Sequence, residues 1–142
     1  NKEIEEEHRK KETLHLMYSN LADDMNLDGL ELEFVHGVRV SEQSREVIKN
    51  TNKVITAHAP FYVNLNAREE EKLEASVQRI LETAETTNQL GGYSITYHAG
   101  FYLNQDADLV YKKIQKQTET ISNILNKNKM NLKNHTSSNL NK

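Results

Sequence analysis

Two stretches decide the fold: Ile55-Thr56-Ala57-His58-Ala59-Pro60-Phe61-Tyr62-Val63-Asn64 and Ile95-Thr96-Tyr97-His98-Ala99-Gly100-Phe101-Tyr102-Leu103-Asn104. Seven of ten positions are identical, and the two histidines lie 40 residues apart. That spacing is about one strand–helix unit with its loops, so the repeat predicts two neighbouring strands of one sheet. Each stretch opens as a strand, and side chains alternate between its faces. Thr56 and His58 share one face, as do Thr96 and His98. Ile55, Ala57 and Ala59, or Ile95, Tyr97 and Ala99, form the opposite face and suit helix packing. Both histidines then stand at the C-terminal ends of adjacent parallel strands.

The flanking sequence extends the same alternation of strand and helix. Leu30, Leu32 and Phe34 interleave with Glu31 and Glu33, a strand over Gly29–Val35. Val54–His58 and Ser94–His98 are the other two strands. Ser41 suits the N-cap of a short helix carrying Val47 and Ile48. Asn66 with Glu69 three residues later reads as a capping box for a helix over Ala67–Leu90. Leu73, Val77, Ile80, Leu81 and Ala84 form its apolar stripe, and Gly91 its stop. Val110, Ile114, Ile121 and Leu125 mark a last helix over Asp106–Asn126. Strands alternating with helices imply an α/β fold with about three parallel strands and crossover helices, part of a (β/α) barrel.

Composition narrows the function classes. The 142 residues suit one domain, and 36% of them are hydrophobic, below the usual content of a globular domain. The mean hydropathy of −0.79 points to a modest core. No apolar run approaches a membrane span, so no membrane association is expected. Absence of Cys excludes disulfides and thiolate metal ligands. A net charge of −3 excludes a generally basic nucleic-acid coat, so any nucleic-acid contact needs a local patch. Residues 1–26 are charged and read as a helical N-terminal segment. Residues 27–133 hold the barrel-like pattern. Residues 134–142 contain a single apolar residue, Leu140, and read as a disordered tail.

Adjacent parallel strands lie about 4.8 Å apart, so imidazoles at His58 and His98 can reach one metal ion. Strand C-terminal ends are where α/β barrels put active sites. The alternative is that each histidine hydrogen-bonds locally at its strand end. Glu31 and Glu33 share the polar alternation of the first strand. They line a solvated face or point into a barrel, and Glu33, nearer the strand end, is the candidate inward acid. Phe61-Tyr62 and Phe101-Tyr102 follow the two histidines. Such pairs stack on bases or anchor a loop on the rim, and for Phe101-Tyr102 anchoring is the expectation. Arg39 and Arg68 are the nearby cations suited to phosphate. His36 lies outside the repeated context and reads as structural or exposed.

These residues resemble a known family. Leu32-Glu33-Phe34-Val35-His36-Gly37-Val38-Arg39, Ala57-His58-Ala59-Pro60-Phe61-Tyr62-Val63-Asn64-Leu65 and His98-Ala99-Gly100 are similar to endonuclease IV, in its archaeal-type branch among the xylose-isomerase-like TIM barrels. The resemblance implies a cytoplasmic DNA-repair hydrolase that cuts DNA at abasic sites with a cluster of zinc ions. It implies that His58 and His98 are zinc ligands and that Phe61 probes the duplex; Tyr62 and Arg39, read from the residues themselves, are the further candidate DNA contacts. Asn64 and Leu65 match as structural positions. The match corresponds to the second, third and fourth strands only. The first-strand His-Val-Ser motif is absent before residue 27. Met130-Asn131-Leu132-Lys133 looks like the start of a fifth strand, and the pattern then stops. His135 matches nothing in the family and reads as a tail residue. The expectation is a truncated copy, a fragment, or a half-barrel completed by a partner chain, inactive alone and prone to self-association through open sheet edges. Two alternatives stand beside it: a sugar or sugar-phosphate isomerase of the same architecture, and a non-catalytic remnant.

Overall fold

A computed structural model describes residues 22–128 of the chain. Most of the charged N-terminal segment, the fifth-strand start and the tail lie outside the described residues. Within them, β1 (Gly29–Glu33), α1 (Glu42–Lys49), β2 (Val54–His58), α2 (Glu70–Gln89), β3 (Ser94–Thr96) and α3 (Ala107–Lys127) alternate along the chain. The three strands form one sheet in the order β1-β2-β3, and both pairings are parallel. This is the α/β arrangement of a partial (β/α) barrel that the repeat implies.

The helix boundaries follow from their caps. Ser41 caps α1, its side chain accepting from the Ser44 N–H. The Asp106 carboxylate accepts from the N–H groups of Asp108 and Leu109 and caps α3. Gly91 stops α2 with φ of 74°, and the Gly92 N–H donates back to the Thr87 carbonyl. A side chain at 91 would sit in the left-handed region that glycine tolerates best.

The start of α2 differs from the expected capping box. The helix begins at Glu70, with Glu69 as a cap that makes no side-chain cap bond. Asn66 is fully buried and donates instead to the Phe101 carbonyl, 35 residues away. Two strands are also shorter than expected. β1 ends at Glu33 rather than Val35, and β3 at Thr96 rather than His98. The ladder between β2 and β3 closes with the Ala59 N–H donating to the Thr96 carbonyl. Pro60 then offers no N–H, and the chain turns.

Among the described residues, only one face of the sheet is packed by helices. Ile48, Ile55 and Leu90 form one apolar cluster with Leu30, Leu32 and Val40. Val63, Leu65, Ala67, Leu73, Ile80 and Ile121 form a second, joined by Ile95, Tyr97 and Ile114 among others. Helix α2 also buries Ser76, Thr83 and Thr87, beyond the expected apolar stripe. Their hydroxyls donate to the carbonyls of Lys72, Arg79 and Thr83, so the helix backbone satisfies them without partners from the sheet. The second sheet face carries Glu31, Glu33, Thr56, His58 and Thr96, all exposed or half-buried.

Candidate metal and nucleic-acid site

His58 and His98 meet at the C-terminal end of the sheet. Their ring centroids are 5.0 Å apart, with the planes tilted by 55°. His58 sits in the register row Glu33–His58–Thr96, and His98 lies two residues beyond the end of β3. Backbone alternation brings the two rings together as the repeat predicts. The His58 Nδ1 lies 2.7 Å from the Ala59 carbonyl oxygen. A carbonyl only accepts, so Nδ1 carries the proton and donates, and the lone pair is left on Nε2. Fixing one ring nitrogen on a backbone carbonyl is how a protein orients a metal-ligating histidine.

The spacing of the pair is open to two imidazoles sharing one ion and is equally that of two rings in contact. Two imidazoles on one tetrahedral ion, with Zn–N of about 2.0–2.1 Å, place their centroids roughly 5 Å apart. The observed spacing matches that figure. Among the described residues no group of three or more His, Asp or Glu gathers where it could hold an ion. The two histidines thus supply two donors where a structural zinc site uses four and a catalytic one three. Glu33 is exposed on the same face but does not complete a triad with them. On β1, Glu31 accepts a hydrogen bond from the Thr56 hydroxyl at 3.3 Å.

The loops after β2 and β3 are joined into one rim. The Asn64 Oδ1 accepts from the N–H groups of Asn66 and Phe101, and the Leu65 N–H donates to the Ala99 carbonyl. Leu65 is fully buried, and the Ser76 hydroxyl accepts from the Asn64 N–H. Gly100 lies against this joint: a Cβ there would come within 2.8 Å of the Asn64 Oδ1. The Arg68 guanidinium donates to the Leu103 carbonyl and the Lys113 ammonium to the Ala67 carbonyl. Asn64 and Leu65 therefore hold the structural positions expected of them. Ser76 and Lys113 are not singled out from the sequence, which reads Asn66 only as a helix cap and Gly100 only as part of a motif. The sequence signal at this joint is the pair of asparagines, Asn64 and Asn66, in an otherwise apolar run.

The aromatic residues divide by what they touch. Phe61 is 60% exposed at the rim. Tyr62 stacks edge-on to Phe61 and lies under the Arg79 guanidinium, 4.7 Å from its ring centroid. Phe101 and Tyr102 are 53% and 65% exposed. The expected anchoring of their loop is real, but the Phe101 backbone makes it and the rings stay in solvent. Arg39 is exposed on the loop after β1, and His36 is exposed beside it. No helix among the described residues is long and apolar enough to cross a membrane.

Parallel strand–helix units with polar groups gathered at the strand C-terminal ends define a protein of the β/α-barrel class. The chain matches the xylose isomerase-like TIM barrel family over residues 20–141, and it belongs to that family. It is also 39% identical over 99 residues to an uncharacterized protein of Methanocaldococcus jannaschii, across 68% of this chain. It spans 36% of that relative's length.

Proposed function

We propose that this chain contributes the second-to-fourth-strand segment of an endonuclease IV-like, zinc-dependent hydrolase acting on abasic-site DNA. The observation that carries the reading is the His58–His98 pair, 5.0 Å apart between centroids at the strand ends, with an exposed Phe61 three residues after His58 in the chain. A metal held there would lower the pKa of a bound water and stabilise charge on the phosphate. His58, oriented through Nδ1 by the Ala59 carbonyl, offers Nε2 to the ion, and His98 offers the second nitrogen. Phe61 presents an apolar ring where a gap in a base stack would accept it. Arg39 and Arg68 stand on the same rim for phosphate. A sugar isomerase of the same architecture does not need an aromatic ring that probes a duplex, which is why DNA is the favoured substrate.

The test pairs metal with DNA. Calorimetric zinc titration of the full chain should show weak one-to-one binding that His58→Ala and His98→Ala each abolish. Anisotropy with an abasic duplex should show tighter binding than with the intact duplex, and Phe61→Leu should remove the preference. Equal binding of both duplexes, together with binding of a sugar phosphate, would refute the DNA reading. Zinc binding that survives both histidine substitutions would place the metal elsewhere.

A further inference from the structure

The second aromatic pair has the build of a contact surface rather than of a loop anchor. Its backbone is held from three sides: Asn64 takes the Phe101 N–H, Asn66 donates to the Phe101 carbonyl, and Arg68 donates to the Leu103 carbonyl. Leu103 and Asn104 both adopt positive φ, 52° and 58°. For leucine that conformation is uncommon and strained. It persists because the surrounding hydrogen bonds hold it, as at ligand clamps. The result of this restraint is two aromatic rings held in water on a fixed backbone. A hollow of about 150 Å³ adjoins Tyr102, walled by Tyr111 and floored by Val110 and Ile114. It is smaller than the roughly 300–1,000 Å³ of pockets that engulf a ligand, and suits one flat ring laid against Tyr102. Arg68 is exposed and hydrogen-bonded to the residue after Tyr102, so a cation stands beside the rings for a phosphate.

We propose that Phe101 and Tyr102 form a second base-stacking element beside Phe61, and that this rim takes a DNA strand with unpaired bases. Every base has a π-face, so stacking on exposed rings flanked by a cation favours unpaired over paired bases without regard to sequence. The proposal rests on the DNA reading above and adds to it the strand state of the ligand.

The test uses the full chain at fixed ionic strength, with a labelled single-stranded oligodeoxynucleotide and a labelled abasic duplex. Phe101→Leu with Tyr102→Leu keeps apolar bulk and removes both rings. It should weaken single-strand binding about 5-fold or more per ring. Phe101→Tyr with Tyr102→Phe keeps both rings and should bind as the natural chain does. A 2-aminopurine in the single strand should lose fluorescence on the natural chain and recover it on the double-leucine variant. Far-ultraviolet circular dichroism checks that variant's fold, and Tyr102→Leu alone serves if the double variant unfolds. Single-strand binding unchanged by loss of the rings would overturn the proposal. If Phe61-dependent binding of the abasic duplex persists in that case, the DNA reading stands without it. If the natural chain binds neither DNA, both fall.

Discussion

Replacing Gly100 with alanine tests the joint between the two rim loops. Gly100 does not lie in the left-handed region, so the backbone accepts an L-residue and the effect is steric. The added Cβ would meet the Asn64 Oδ1 at 2.8 Å, the Ile114 Cδ1 at 3.2 Å and the Asn66 backbone nitrogen at 3.3 Å. The first contact is too close to persist, and that oxygen accepts from both the Asn66 and the Phe101 N–H. Moving it forfeits two hydrogen bonds of about 1 kcal/mol each. Crowding against Ile114 and the Asn66 nitrogen adds about 1–3 kcal/mol. The lower entropy of the unfolded alanine chain returns about 0.4–1 kcal/mol. The net expectation is a loss of about 2–4 kcal/mol. Urea unfolding followed by circular dichroism and tyrosine fluorescence reads it as a lower midpoint at unchanged slope. If the variant is unfolded in buffer, an osmolyte such as TMAO brings the transition into range. Asn64→Ala removes the atom the methyl group strikes, so Gly100→Ala made in that background should cost about 1 kcal/mol less or better, a coupling that marks direct contact. A loss under about 0.5 kcal/mol, or strict additivity of the two substitutions, would refute the argument for this joint.

Three further outcomes are expected. Asp106→Ala removes the carboxylate that caps α3 and should cost about 1 kcal/mol, read by the same urea titration. Leu65→Ala empties a fully buried position in the larger core cluster and should cost about 2–5 kcal/mol, with loss of the cooperative transition as the extreme case. The chain by itself should not turn over abasic duplex in a gel incision assay with zinc, because two imidazoles among the described residues do not supply both a hydroxide and a clamp on the leaving oxygen. Multiple-turnover incision that disappears in the His58→Ala, His98→Ala double variant would contradict this, and would show that self-association or a partner completes the site.

The sequence alone determined the elements whose signals are local. Ser41, Asp106 and Gly91 act on backbone groups within a few residues of themselves, so the ends they set were legible in one dimension. The repeat placed His58 and His98 at the ends of neighbouring strands on one face, and their rings do meet, although β3 stops at Thr96 and His98 lies two residues beyond it. What the tertiary structure decided involves partners far apart in the chain. Asn66 was read as a capping residue, yet the Phe101 carbonyl 35 residues on takes its side chain. The strand ends depended on where the ladders between segments stop, at the Phe34 N–H to the His58 carbonyl on the β1 side and the Ala59 N–H to the Thr96 carbonyl on the β3 side. Phe101 and Tyr102 read as loop anchors until their backbone proved to do the anchoring, which leaves the rings exposed. Tyr62 and Phe61 are adjacent and chemically alike, but Arg79 of α2 covers one and leaves the other in solvent. Periodicity reports which face a side chain takes, while the partner it meets there is set by packing between segments whose separation no local pattern encodes.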